Sequence, residues 1–131
     1  MKRLVIGSAA AAMCLAAATV LAADFDGSKP LICSAIEAND CAMGVGCEKG
    51  LAEDVNAPQF VRVDFAGKKM SARGRTAPID RQARENGTLI LQGLENGRAW
   101  SITITEEGGW MVGAIAGSEE GFVIFGACTP L

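Results

Sequence analysis

The chain has no histidine and no tyrosine, so its capacity for chemistry rests on carboxylates, basic side chains and five cysteines. Mechanisms in which a histidine base activates serine or cysteine are excluded, as are zinc sites with histidine ligands and the usual haem attachment. Paired carboxylates are the catalytic arrangement left open, because two of them facing across a cleft can cut a glycosidic bond. The pairs Glu53-Asp54, Glu106-Glu107 and Glu119-Glu120 are each adjacent in sequence, and neighbours in a strand point to opposite faces. Two of these pairs fall in expected turns. Solvated charge is the favoured reading, and no catalytic residue is assigned. Asp24-Phe25-Asp26-Gly27-Ser28 opens like a calcium loop, but the twelfth position, where the closing glutamate belongs, is Ala35. A polar lead into the first strand is the simpler reading.

The cysteines point elsewhere. Five residues separate Cys41 from Cys47, wider than the usual two to four of a zinc knuckle. No metal site and no cofactor is therefore expected. Cys33, Cys41, Cys47 and Cys128 form an even set in a short chain, which fits two disulfides made in an oxidising compartment.

Export is what that chemistry requires, and the first residues supply it. Lys2 and Arg3 are a charged start, Leu4 to Leu21 an apolar run, and Ala22-Ala23 a small-residue exit. A cut after Ala22 places Val20 and Ala22 at the two specificity positions of signal peptidase. The run approaches the roughly 18 to 20 residues that span a bilayer, but its alanines make it weakly hydrophobic for a span. Cys14 follows Ala12-Met13 and lacks the small neighbour of a lipid-attachment box. Residues 1–22 are thus expected to be a signal peptide and 23–131 a single β-rich domain with no stable membrane insertion. Losing residues 1–22 leaves 109 residues and moves the net charge from −3 to −5, since Lys2 and Arg3 go with them. An acidic balance argues against a nucleic-acid partner.

The elements that must position these residues are short alternating runs broken by turn residues, the pattern of an antiparallel meander. Leu31 to Ala38 is an expected first strand, and Asn39 to Pro58 a long connection holding Cys41 and Cys47. Phe60 to Phe65 sets Val61, Val63 and Phe65 against Phe60, Arg62 and Asp64. Strands are then expected from about Lys68 to Ala72 and Ile79 to Arg84, with Gly74 to Pro78 as a break. Further strands follow at Thr88–Leu94, Ala99–Thr105, Trp110–Ala116 and Phe122–Cys128. Asn86-Gly87 and Asn96-Gly97 mark tight hairpin turns. In Ala99–Thr105, Trp100, Ile102 and Ile104 share one face and Ser101, Thr103 and Thr105 the other.

About seven or eight such strands must hide two edges, and curling until the first meets the last does so. The expected fold is all-β, a small barrel or strongly curved sheet. Cys33 lies in the expected first strand and Cys128 in the last, so their pairing would fasten the closure while Cys41–Cys47 ties the long connection. Phe60, Phe65, Trp100, Trp110, Phe122 and Phe125 are the large side chains available for a core. Lys68, Lys69, Arg73, Arg75, Arg81 and Arg84 make the middle of the chain locally basic, either a protective sheet edge or a patch for an anionic ligand. Trp100, Trp110, Arg73 and Arg75 are the side chains expected to touch a ligand if one binds.

Four segments carry a resemblance: Phe25-Asp26-Gly27-Ser28-Lys29-Pro30-Leu31-Ile32-Cys33, Pro58-Gln59-Phe60-Val61-Arg62-Val63-Asp64-Phe65, Leu91-Gln92-Gly93-Leu94-Glu95-Asn96-Gly97-Arg98-Ala99-Trp100 and Gly121-Phe122-Val123-Ile124-Phe125-Gly126-Ala127-Cys128-Thr129. Together they resemble a family of small uncharacterised exported proteins of proteobacteria. The resemblance implies a Gram-negative periplasm and no activity. Three functional readings follow from the sequence. A non-enzymatic barrel binding a small ligand or protein partner would show a cavity at Trp100 and Trp110. An envelope inhibitor or accessory subunit would show a filled barrel with an ordered loop over Asn39–Pro58. A carboxylate-based hydrolase would show two inward carboxylates across a cleft.

Overall fold

Alternation of apolar and polar side chains carries through as ten antiparallel strands in a computed structural model that describes residues 24–131. The expected signal segment 1–22 lies outside the described residues. The strands are β1 (Leu31–Ala42), β2 (Gly46–Gly50), β3 (Phe60–Asp64), β4 (Lys69–Ala72), β5 (Arg75–Pro78), β6 (Arg81–Glu85), β7 (Thr88–Glu95), β8 (Arg98–Thr105), β9 (Trp110–Ala116) and β10 (Glu120–Pro130). A 3₁₀ turn, Ala52–Val55, stands between β2 and β3. Among the described residues no helix is long and apolar enough to cross a membrane.

One strongly curled sheet, a half-barrel, runs in the order β5-β4-β3-β1-β10-β9-β8-β7-β6, with β2 paired to the far end of β1. First and last strands are therefore neighbours in the middle of the sheet. Its two edges, β5 and β6, are consecutive in sequence, joined by Ile79 and Asp80. The Ile79 N–H donates to the Lys68 carbonyl at 2.9 Å and the Asp80 N–H to the Gln92 carbonyl at 2.9 Å. Two adjacent residues thus hand the chain from the β4 side to the β7 side.

Period-two alternation fixes what faces inward. Leu31 and Val63 meet Leu89, Leu91 and Ile104 in the core, all essentially without exposure. Between Ala35 and Glu37 the β1–β10 register shifts by a bulge, which bends the strand and puts Ile36 outside. Asn86-Gly87 and Asn96-Gly97 both take positive φ at both positions, the geometry whose twist matches a two-residue hairpin.

Four sequence expectations need correction. The first strand continues to Ala42 and returns as β2, because Cys41 and Cys47 sit opposite each other in register and are bonded. The expected break at Gly74 to Pro78 holds β5 instead: Arg73-Gly74 makes a tight turn, both at positive φ, and Arg75–Pro78 pairs back on β4. The expected strand from Ile79 starts at Arg81. Among the large side chains offered for the core, Phe65, Trp100 and Phe122 are buried, but Phe60, Trp110 and Phe125 lie on the outer face. Strand alternation decides this: Met111 and Phe122 take the inward positions, so Trp110 and Phe125 cannot.

Candidate functional site

The curl holds a cavity of about 170 Å³ that is partly open to solvent. Each wall comes from an inward position of a different strand: Cys33 from β1, Ala77 from β5, Trp100 and Ile102 from β8, Met111 and Gly113 from β9, Phe122 and Ile124 from β10. The segment Val55–Pro58, leaving the 3₁₀ turn, lies along one side, and Arg75, Glu95, Asn96 and Arg98 complete the lining. For scale, an engineered apolar cavity of about 150 Å³ takes up benzene.

Two glycines leave the space that larger side chains would fill. Gly93 stands opposite Trp100 in the β7–β8 pair, and a Cβ there would meet the indole at 2.4 Å. The ring lies where that side chain would have been. Gly113 faces Ile102 and Ile124 across ordinary contact distances of 3.6 and 3.8 Å from a hypothetical Cβ.

Charge within the lining is held by ion pairs. Arg75 Nη2 lies 3.6 Å from Glu95 Oε1, and its Nη1 donates to the Asn56 carbonyl at 3.4 Å. Glu95 is also the register partner of Arg98 at the end of the β7–β8 hairpin. Arg98 bonds Glu120 and lies over the Phe122 ring, 5.5 Å from its centroid, a distance at which a guanidinium is attracted to the ring face. Trp100 is 7% exposed, yet its Nε1–H has no partner among the described residues.

Of the side chains expected to touch a ligand, the structure brings Trp100 and Arg75 to this cavity. It does not bring Trp110, which is 63% exposed on the outer face, or Arg73, which sits in the β4–β5 turn. Arg84 is spent on Glu106 at 2.6 Å. Arg98 escaped the sequence reading, although its place after Asn96-Gly97 and across the turn from Glu95 was a signal that it stood at a hairpin end. Gly113 escaped because a missing side chain leaves no pattern to read.

None of the carboxylate pairs reaches the interior cavity, and Glu119-Glu120 lines an open surface pocket beside Arg98. Asp54 accepts from the Leu51 N–H at 2.7 Å, Glu106 accepts from Arg84, and Glu120 accepts from Arg98. Glu95 is the single carboxylate lining the cavity. Hydrogen bonding from Ser28 holds the Asp26 carboxyl below its ordinary value, so this aspartate shapes the lead into β1. Among the described residues no group of histidine, cysteine, aspartate or glutamate is placed to hold a metal ion.

A second feature is the β1–β2 hairpin. Its tip carries Met43 and Val45, 80% and 78% exposed, just beyond the Cys41–Cys47 disulfide. No protein-family model, no curated protein and no solved structure matches this chain.

Proposed function

We propose that the protein is a non-enzymatic ligand carrier or sensor of the periplasm, holding a small, largely apolar molecule inside its curled sheet. One observation carries this reading: an apolar cavity of about 170 Å³ is left open where a domain of this size would ordinarily close its core. Interiors are packed like organic crystals, and an unfilled space forfeits the contacts its lining would otherwise make. A ligand would restore them. Two disulfides fit an oxidising compartment, the charged and apolar start of the chain supports export, and the resemblance to exported proteins of proteobacteria supports the periplasm in particular.

The test is native mass spectrometry on the protein recovered from the envelope of the exporting cell. A complex with a small organic molecule is expected, lost when the protein is unfolded. If only the bare chain is recovered, and no small aromatic or aliphatic compound raises its melting temperature, the reading fails.

The β1–β2 hairpin favours a second reading, that of an inhibitor or accessory subunit. Its exposed apolar tip is cross-linked close to the turn, so little conformational freedom would be lost on docking. Met43→Ser with Val45→Ser would then abolish partner capture in the envelope while leaving small-molecule uptake intact. Unchanged capture by the double variant would remove this reading.

A further inference from the structure

The charged side chains where the cavity opens say more about what it accepts. This inference rests on the ligand-binding reading above and deepens it. The interior has two halves. At one end Leu31, Val63, Leu89 and Ile104 fill the space, with Phe25 of the lead segment packed against the same cluster. None of these lines the cavity. The cavity occupies the other half, where β7 ends and β5, β8 and β10 begin.

Four charged residues stand at inward positions at that end. By period-two alternation Arg75 shares a face with buried Ala77, Glu95 with Gly93, Arg98 with Trp100 and Glu120 with Phe122. Inward charges can guard a free sheet edge, but β7, β8 and β10 are interior strands. Edge protection therefore explains Arg75 alone. The four alternate in sign: Glu120 bonds Arg98, Arg98 is the register partner of Glu95, and Glu95 Oε1 lies 3.6 Å from Arg75 Nη2.

Arg75 and Glu95 are not closed on each other. At 3.6 Å their contact is too long for a hydrogen bond, and the Arg75 bond to the Asn56 carbonyl is long at 3.4 Å. Their side chains are 49% and 33% exposed, and both line the cavity together with Asn56, so each has hydrogen-bonding capacity to offer at the opening. An anionic head at Arg75 would meet the Glu95 carboxylate, a cationic head at Glu95 would meet the Arg75 guanidinium, and like charges brought together are costly. A head bearing both signs suits both. We infer that the cavity takes a small zwitterion, an apolar body between the walls with an ammonium and a carboxylate at the mouth, the chemistry of a free apolar amino acid. Arg75 donates to the carboxylate, the ammonium donates to Glu95, and these two side chains set the specificity of the site.

Four probes share an aromatic body and differ in the head: L-phenylalanine carries both charges, hydrocinnamate the carboxylate alone, phenethylamine the ammonium alone and acetophenone neither. Each is titrated at neutral pH into ¹⁵N-labelled protein while the amides of Ile102, Gly113 and Ile124 are followed. L-phenylalanine is expected to bind about three- to tenfold more tightly than either singly charged analogue, the range a net hydrogen bond supplies. In Arg75→Gln its advantage over phenethylamine should disappear, and in Glu95→Gln its advantage over hydrocinnamate. In Arg73→Gln, outside the lining, both advantages should persist. A singly charged analogue that binds the wild type as tightly as L-phenylalanine overturns the zwitterion inference, and binding of acetophenone beside that result leaves the cavity reading standing. Binding of none of the four overturns both. Should a variant fail to fold, the wild-type ranking decides alone.

Discussion

Cys33 and Cys128 stand directly opposite each other where the first and last strands meet, and the bond between them links positions 95 apart. Both side chains are buried, and Cys33 also lines the cavity. The bridge therefore fastens the curl at the seam that gives the interior its shape. On the chain-entropy relation, closing so long a loop contributes about 4.7 kcal/mol, against about 2 kcal/mol for the short Cys41–Cys47 loop. Replacing Cys33 and Cys128 together by alanine is expected to cost about 2 to 5 kcal/mol, and the Cys41 and Cys47 double replacement less. Urea unfolding of the two variants checks the order, and a larger loss at Cys41–Cys47 would contradict it.

Gly113 in the cavity lining and Gly93 beneath Trp100 should respond in opposite directions to the same change. At Gly93 a Cβ would lie 2.4 Å from Trp100 Cζ2 and 2.6 Å from the Pro78 carbonyl oxygen. Gly93→Ala must move either the indole or the β5–β6 bend, and overpacking of this kind costs about 1 to 3 kcal/mol. At Gly113 the new methyl would make ordinary contacts with Ile102 and Ile124. There the strand gains by losing a glycine, by about 0.5 to 1 kcal/mol. Thermal denaturation should show the first variant melting below the wild type and the second at or above it.

Acid should loosen the hairpin before it loosens the half-barrel. Hydrogen bonds from Lys49 and from Asn39 hold the Glu37 carboxyl below its ordinary value, the lysine contributing most. A carboxyl shifted in this direction favours the folded state above its unfolded pKa of about 4.3. That contribution fades as pH falls through the lowered folded value. Protection of the β2 amides, measured against the intrinsic exchange rate at each pH, is expected to fall over that acid range in the wild type. In Glu37→Gln it should be low already and change little with pH, and an unchanged acid response in that variant would show that another group is responsible.

Much of the fold was legible because strand alternation and Asn-Gly turns are local signals. Trp100, Ile102 and Ile104 share a face in the sequence and share the interior in the structure. The pairing of Cys33 with Cys128 followed from expecting the first and last strands to meet, but the edges that meeting was to hide lie instead at β5 and β6. The path of the bend at Ile79 and Asp80 was not legible, since Pro78 and Asp80 mark a break but which strands flank it decides where the chain goes. The outward placement of Trp110 and Phe125 was missed for a related reason: aromatic content suggests core, whereas the face is set by neighbours two residues away. At the site, composition drew attention to Arg73 because it lies in a basic stretch, but sequence proximity says little about which side of a turn faces the cavity. Arg98 and Gly113 become visible once β8, β9 and β10 are placed side by side.

The central claim, that the interior of the curl is the binding site, is most directly tested by blocking that space without touching the surface. Gly113→Val adds two methyl groups beyond the Cβ at a lining position where the Cβ itself has room. Acetophenone should be titrated into ¹⁵N-labelled wild type and variant while the amides of Ile102, Gly113 and Ile124 are followed, with those of Met43 and Val45 as the outside reference. In the wild type the interior amides are expected to shift and saturate while the hairpin tip stays still, and in the folded variant affinity should fall at least about tenfold, or about 1.4 kcal/mol. Equal affinity in the two proteins, or shifts confined to the hairpin and outer face, would contradict the account.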